Sequence, residues 1–173
     1  PGLLMHNPRS MSVPGGSKSC AHKKPYTETC QDCLELQAYR LTDGQLYIPS
    51  QSFYRAIIDA SGIYRIGKKS ASALISGSVR IFPYEIPLGV SKFDVDGRWV
   101  IINRARVWRQ RPLCKEWQAK FSLIYDASYG ITSDKLREIL EDAGRRIGVL
   151  DFRPAHRGQF GTFTVESWEE RKQ

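Results

Sequence analysis

The segment TSDKLREILEDAGRRIG, residues 132–148, constrains this chain more than any other. At helical spacing, Leu136, Ile139, Leu140, Ala143 and Ile147 fall on one stripe, and the charged residues take its sides and back. Thr132 or Ser133 can cap its start, Asp134 sits in the first turn, and Arg145 and Arg146 lie in the last turn, where cations meet the negative end of the helix dipole. This is a surface helix with one core face. It leads through Gly148 into VLDFRPAHRGQFGTFTV, in which Arg153, His156 and Arg157 are followed by Gly158 and Gly161 before a strand-like FGTFTVESW.

The other elements are read the same way. LYIP is strand-like and opens a helix to about Ser61, capped by Ser50 or Ser52, with Phe53, Ile57 and Ala60 buried and Gly62 as its stop. KKSASALISGSVRIF reads as a second short helix and a strand. Asp96-Gly97 signals a tight turn, and WVIINRARVWRQR alternates after it for a dozen residues. On that alternation Val100 and Ile102 share a face with Arg104, Arg106 and Trp108, and Ile101, Ala105 and Val107 fill the other. A turn at RPLCKE then returns the chain into WQAKFSLIY, making a long hairpin. GLLMHNP is a short edge strand, SVPGGSKS a loop, and CLELQAYRL either a helix or a strand.

The order is strand, helix, irregular insert, two hairpin strands, helix, strand. This predicts an α+β chain of ferredoxin-like or RRM-like βαββαβ type: an antiparallel sheet with two helices on one face and an irregular N-terminal insert. With 173 residues and 41% hydrophobic content, residues 1–173 make a single domain, in which 8–45 form the loop-rich insert. No run of roughly 18 apolar residues occurs and the start lacks a secretory pattern, so the expectation is a cytoplasmic protein of a bacterial or phage-infected cell, with no membrane partner.

Lys and Arg number 26 against 18 Asp and Glu, a net charge of +8 that favours polyanionic partners. The excess is spread: up to Arg98 there are 12 basic and 8 acidic residues, and after it 14 and 10. That spread argues against a disordered basic arm.

Three constellations carry chemistry. NRARVWRQRP holds four arginines and no acid, and projects Arg104, Arg106, Trp108 and Gln110 together, an interleaving of cations with a ring that stacks on bases. A solvated edge strand would look similar. The glycine-rich stretch offers backbone N–H groups together with Arg153, His156 and Arg157 to phosphate oxygens; a helix-to-strand connector, with Gly148 as the helix stop, explains the same residues. It matches neither a P-loop nor a dinucleotide fingerprint, which need a strand before the glycines and a helix after them. CAHKKPYTETCQDC places Cys20, His22, Cys30 and Cys33 as four candidate ligands of a structural zinc, against the alternative of thiols unrelated to any metal. Among histidines, His6 or His156 with Tyr54 would suffice for a metal-independent ribonuclease, although no nucleophile motif accompanies them.

YIPSQSFYRAIIDAS and KLREILEDAGRRIGVLDFRPAHRGQFGTFTV resemble two segments of the RAMP superfamily of CRISPR proteins. The former is similar to the strand that ends in proline and a small residue and opens the first helix. The latter is similar to the superfamily's other helix with its glycine-rich loop and last strand. The resemblance implies an RRM-type core and a backbone-type subunit that polymerises along a guide RNA. It also implies roles for Ser50, Ser52 and Arg55 at the helix start and for Gly148, Gly158 and Gly161 in the loop. The whole chain also resembles small proteins of phage or mobile elements.

The expected function is thus non-catalytic binding of single-stranded nucleic acid, RNA before DNA, with copies of the chain or a ribonucleoprotein complex as partners and no required cofactor beyond a structural zinc. The nucleic-acid set takes in Tyr54, Lys68, Lys69, Arg145 and Arg146 as well as the residues above. The alternatives are a phage interaction protein that blocks a host defence or replication complex, and the ribonuclease.

Overall fold

The computed structural model describes residues 2–8, 31–102 and 104–171. The chain is α+β, with antiparallel pairing throughout the described ladders. In order come β1 (Leu3–Leu4), α1 (Gln31–Gln37), β2 (Tyr47–Pro49), α2 (Ser50–Ser61), β3 (Arg65–Ile66), β4 (Lys69–Ser70), α3 (Ala71–Ser78), β5 (Val79–Phe82), β6 (Glu85–Pro87), β7 (Asp94–Ile102), β8 (Ala105–Cys114), β9 (Ser122–Tyr125) and α4 (Ser133–Asp142). A π-helical turn, Ala143–Ile147, extends α4. The ladders are β1-β8-β7, β2-β6, β3-β4 and β5-β9. No helix among the described residues is long and apolar enough to cross a membrane.

The two expected helices form where their stripes require. α2 buries Phe53, Ala56, Ile57 and Ala60, and α4 with its π turn buries Leu136, Ile139, Leu140, Ala143 and Ile147. These side chains meet Ile48, Ile75, Val79, Ile81 and Ile86 in one core. Thr132 caps α4, its hydroxyl accepting from Lys135 N–H, and Gly148 ends the π turn at φ 72°. At α2 the expected serine cap is absent. Pro49 occupies the N-cap position without a side-chain bond, and Ser50 is buried with its N–H donated to Tyr84 O at 2.7 Å. Gly62, at φ −58°, is not a left-handed stop.

The hairpin is rearranged relative to its expected form. The run WVIINRARVWRQR is two strands rather than one: β7 ends at Ile102 and β8 begins at Ala105, the two residues stand opposite each other in an antiparallel pair, and Arg104 has φ 65°. Each strand keeps its own period of two, so the alternating residue types on either side do not betray the reversal. Asp96-Gly97 lies inside β7 instead of turning. Glycine is required at 97 for a different reason: a Cβ there would stand 2.7 Å from the Trp108 ring.

The turn also exchanges the faces. Cross-strand partners share a face, and the register pairs Trp99 with Trp108, Val100 with Val107 and Ile101 with Arg106. Trp108 therefore sits with Trp99 and Ile101, not with Val100. WQAKFSLIY contributes only Ser122–Tyr125 as strand, paired with β5 instead of the arginine-rich strand. FGTFTVESW forms no strand. Its backbone is tied elsewhere, with Val149 N–H donating to Gly161 O and Phe163 N–H to Gly144 O, and its Phe163 ring packs edge-on against Phe53. GLLMHNP does provide an edge strand, β1, which buries Leu3 and Leu4 beside β8.

Candidate nucleic-acid interface

Alternation along β7 and β8 gives the hairpin two unlike faces. One carries Arg98, Arg109 and Arg111 and is bound into the molecule. Arg98 pairs with Asp96 across both carboxylate oxygens, and its guanidinium lies 5.3 Å and 4.9 Å from the Phe152 and Phe160 ring centroids. Arg111 Nε stands 2.8 Å from Asp151 Oδ2. These contacts fasten the glycine-rich loop to the hairpin.

The other face carries Val95, Gly97, Trp99, Ile101, Arg106 and Trp108. Trp99 is 49% exposed, Ile101 80% and Val95 41%. The two indoles meet edge to face at 5.5 Å, and Arg106 lies over the Trp99 ring at 5.1 Å. Arg104 is exposed at the tip. Trp108 Nε1 is buried and has no hydrogen-bond partner among the described residues. An aromatic pair flanked by guanidinium groups, with no acidic side chain on the same face, can stack unpaired bases and contact phosphates.

The loop after α4 is held in an unusual conformation. Leu150, Phe152 and Arg157 have φ of 59°, 47° and 60°, and Gly148 and Gly161 are also left-handed. For a bulky residue such as Leu150 or Phe152 that region is strained. Hydrogen bonds hold it: Asp151 N–H to Leu4 O, Gly158 N–H to Arg153 O, Phe160 N–H to Phe152 O and Gly161 N–H to Gly2 O. Packing explains two of its glycines, since a Cβ at Gly158 would stand 1.7 Å from Phe152 O and one at Gly161 1.9 Å from Val149 O. A cleft of about 220 Å³ lies under the loop, lined by His6, Tyr39, Ser52, Leu150, Asp151 and Arg153.

The expected site residues divide accordingly. Arg104, Arg106 and Trp108 share the hairpin, and Ser52 and Arg153 share the cleft. His156 and Arg157 are exposed beyond it, at the 3-10 turn Pro154–His156. Arg55 is exposed on α2, outside the cleft lining, and Lys68 and Lys69 are exposed at the β3–β4 hairpin, an element apart from either cluster. Tyr54 donates its hydroxyl to Ser76 O at 2.8 Å, linking α2 to α3.

Arg145 and Arg146 serve the fold. Both bond the buried Asp142, and Arg146 also donates to Ala60 O at 3.2 Å. The hydrogen bonds from Arg146 hold the Asp142 carboxyl below its ordinary range against the opposing effect of burial. Their i,i+3 and i,i+4 spacing from Asp142 was a signal available in the sequence.

Of the zinc candidates, Cys20, His22 and Cys30 lie outside the described residues, and Cys33 is partly buried on α1. Two functional candidates escaped sequence reading. Trp99 required the true strand register, and the meeting of His6 with Ser52 and Arg153 required the tertiary fold.

Comparison with protein-family models, curated proteins and solved structures finds no match to the chain.

Proposed function

We propose that the protein is a non-catalytic single-stranded nucleic-acid-binding protein, taking RNA in preference to DNA, and that the outer face of the β7–β8 hairpin is its interface. One observation carries this: Trp99, half exposed, is braced edge-on by Trp108 and covered by Arg106 on a face without acidic side chains. A braced ring loses little freedom when a base stacks on it, and exposed arginines contribute phosphate contacts that weaken with salt.

The RAMP-like, backbone-type reading goes with it. A ferredoxin-like path would run β2, α2, β5, β9, α4 and then the extended segment after Gly161, with the β7–β8 hairpin inserted between the two middle strands. The antiparallel β5–β9 pair and the helix order support that path. Copies of the chain would then line one strand, each presenting a hairpin.

Titration of labelled single-stranded RNA and DNA, read by Trp fluorescence at several salt concentrations, tests the proposal. Quenching with affinity that falls as salt rises is expected. Absence of binding at low salt would sink it. Discrete growth of particle size with oligonucleotide length tests the backbone-type arrangement.

A second reading rests on Ile101 and Val95, whose exposure beside Trp99 suits a protein surface as well as a base. On that reading the chain is a phage-type interaction protein that docks on a host defence or replication complex. Capture of a partner that survives nuclease treatment, together with no oligonucleotide binding, would favour it.

A further inference from the structure

The cleft under the glycine-rich loop takes no part in the hairpin interface, and its side chains come from four separate stretches of chain. His6 follows β1, Tyr39 follows α1, Ser52 stands in the first turn of α2, and Leu150, Asp151 and Arg153 belong to the loop. At about 220 Å³ it falls below the roughly 300 Å³ at which sites for drug-sized ligands begin, so its occupant is small.

The charges in the cleft do not cancel. Asp151 is ion-paired, with Oδ2 2.8 Å from Arg111 Nε, and its Oδ1 accepts Phe152 N–H at 2.9 Å, although Oδ2 makes no aligned hydrogen bond among the described residues. Arg153 is not satisfied. Its Nη2 stands 3.8 Å from the Asp59 carboxylate, and its Nε is buried without a hydrogen-bond partner among the described residues. A buried guanidinium donor left unpaired is costly unless something else occupies the space it faces. Ser52 adds a hydroxyl from the first turn of α2. Tyr39, by contrast, donates its hydroxyl to His6 O at 3.3 Å and so fixes the backbone that carries the imidazole.

His6 adds a donor that depends on protonation. Burial lowers its pKa from 6.5; Asp151 opposes that shift, while Arg111 and Arg109 reinforce it. The guanidinium groups of Arg111 and Arg109 act on the imidazole against the carboxylate of Asp151, whose effect is larger than that of either one. An anion in the cleft would act with Asp151 and favour the imidazolium. The strained Leu150 and Phe152 backbone keeps Arg153 beneath the loop, the kind of pre-set geometry that binding sites use.

We propose that this cleft binds a single phosphate group, with Arg153, Ser52 and His6 as its donors. Three donors from three segments suit the three terminal oxygens of a phosphate better than the two of a carboxylate. The same chemistry is offered by a terminal phosphate on a nucleic-acid strand and by a small phosphorylated molecule. The site goes beyond the hairpin reading and stands without it.

The test is calorimetric titration of the full chain with inorganic phosphate and with sulfate, at constant ionic strength, at about pH 6 and about pH 8. Sulfate keeps its charge over that range, so tighter sulfate binding at the lower pH reports His6 rather than the ligand. Saturable binding is expected for both anions. Arg153→Gln should weaken it about tenfold or more, and Ser52→Ala by several-fold. His6→Gln should remove the pH dependence of sulfate binding.

If Arg153→Gln does not fold, Ser52→Ala and His6→Gln decide the matter. Unchanged affinity in both, or no saturable phosphate binding by the unaltered chain, overturns the proposal. Trp99→Ala, which damages the hairpin interface, should leave phosphate binding intact, so the two sites fail separately. A 5′-phosphorylated oligonucleotide that binds more tightly than its 5′-hydroxyl counterpart assigns the site to strand ends. Equal affinities with retained phosphate binding assign it to a small molecule.

Discussion

The two faces of the β7–β8 hairpin are built from the same kinds of residue and do opposite work. On one, Arg98 and Arg111 are neutralised by Asp96 and Asp151, and Arg98 is covered by the Phe152 and Phe160 rings of the loop. On the other, Arg106 lies over the Trp99 ring, and Ile101 and Val95 remain exposed. An arginine-rich strand is therefore no single patch. The period of two divides its cations into a set committed to the fold and a set available to a partner, and the identity of the neighbouring acid decides which is which.

The comparison breaks hardest at the bound face. Gly158→Ala would push a Cβ to within 1.7 Å of Phe152 O, so the loop must leave its seat. A loss of about 3 kcal/mol or more is expected in denaturant unfolding. Substitution of Arg111 by Met removes the partner of Asp151 and should cost about 1.5–3 kcal/mol, seen in the same measurement. If either variant unfolds like the unaltered chain, the loop is not anchored through this face.

Changes on the outer face should leave folding largely alone. Trp99→Ala removes a stacking platform and should weaken single-strand binding by about 1–3 kcal/mol in a fluorescence titration. Its stability loss should stay near the roughly 0.5–1.5 kcal/mol of an aromatic pair. Arg106→Ala should weaken binding less, evenly across sequences, and make the salt dependence shallower.

The smallest effect concerns pH. Because the His6 pKa is lowered in the folded chain, the unfolded chain takes up a proton first on acidification. The contribution of neutral His6 is whole above 6.5 and is lost as pH falls through the lower folded value. Melting temperatures followed from about pH 8 down to about pH 5 should therefore drop, and His6→Gln should flatten that part of the curve. Asp142, held low by Arg146, acts further toward acid: its contribution is present above 3.8 and disappears as pH falls through its depressed value.

Much of the helical structure was legible because helix signals are local. The stripes of α2 and α4, the Thr132 cap and the Gly148 stop all follow from residues within a few positions of one another. The hairpin was not legible, because each of its strands keeps a period of two by itself and Asp96-Gly97 imitates a turn. What Gly97 serves is the Trp108 ring, on the opposite strand. The last segment has the alternation of a strand, yet its backbone bonds go to the end of α4 and to the loop.

The candidate site shows the same division. Arg106 and Trp108 could be chosen from sequence since they alternate along β8, with Arg104 just before it, whereas Trp99 joins them only through the cross-strand register. Arg145 and Arg146 both bond Asp142, which precedes them by about one helical turn, a pairing their spacing already offered.

The sequence alone determined α2 and α4 with their core faces, the basic balance and the glycine-rich character of the loop, because each depends on spacing or on residue type. Tertiary structure decided which arginines remain exposed, which tryptophans meet, and that His6, Ser52 and Arg153 enclose one cleft. Those outcomes depend on contacts between segments far apart in the chain, where no periodicity connects one partner to the other.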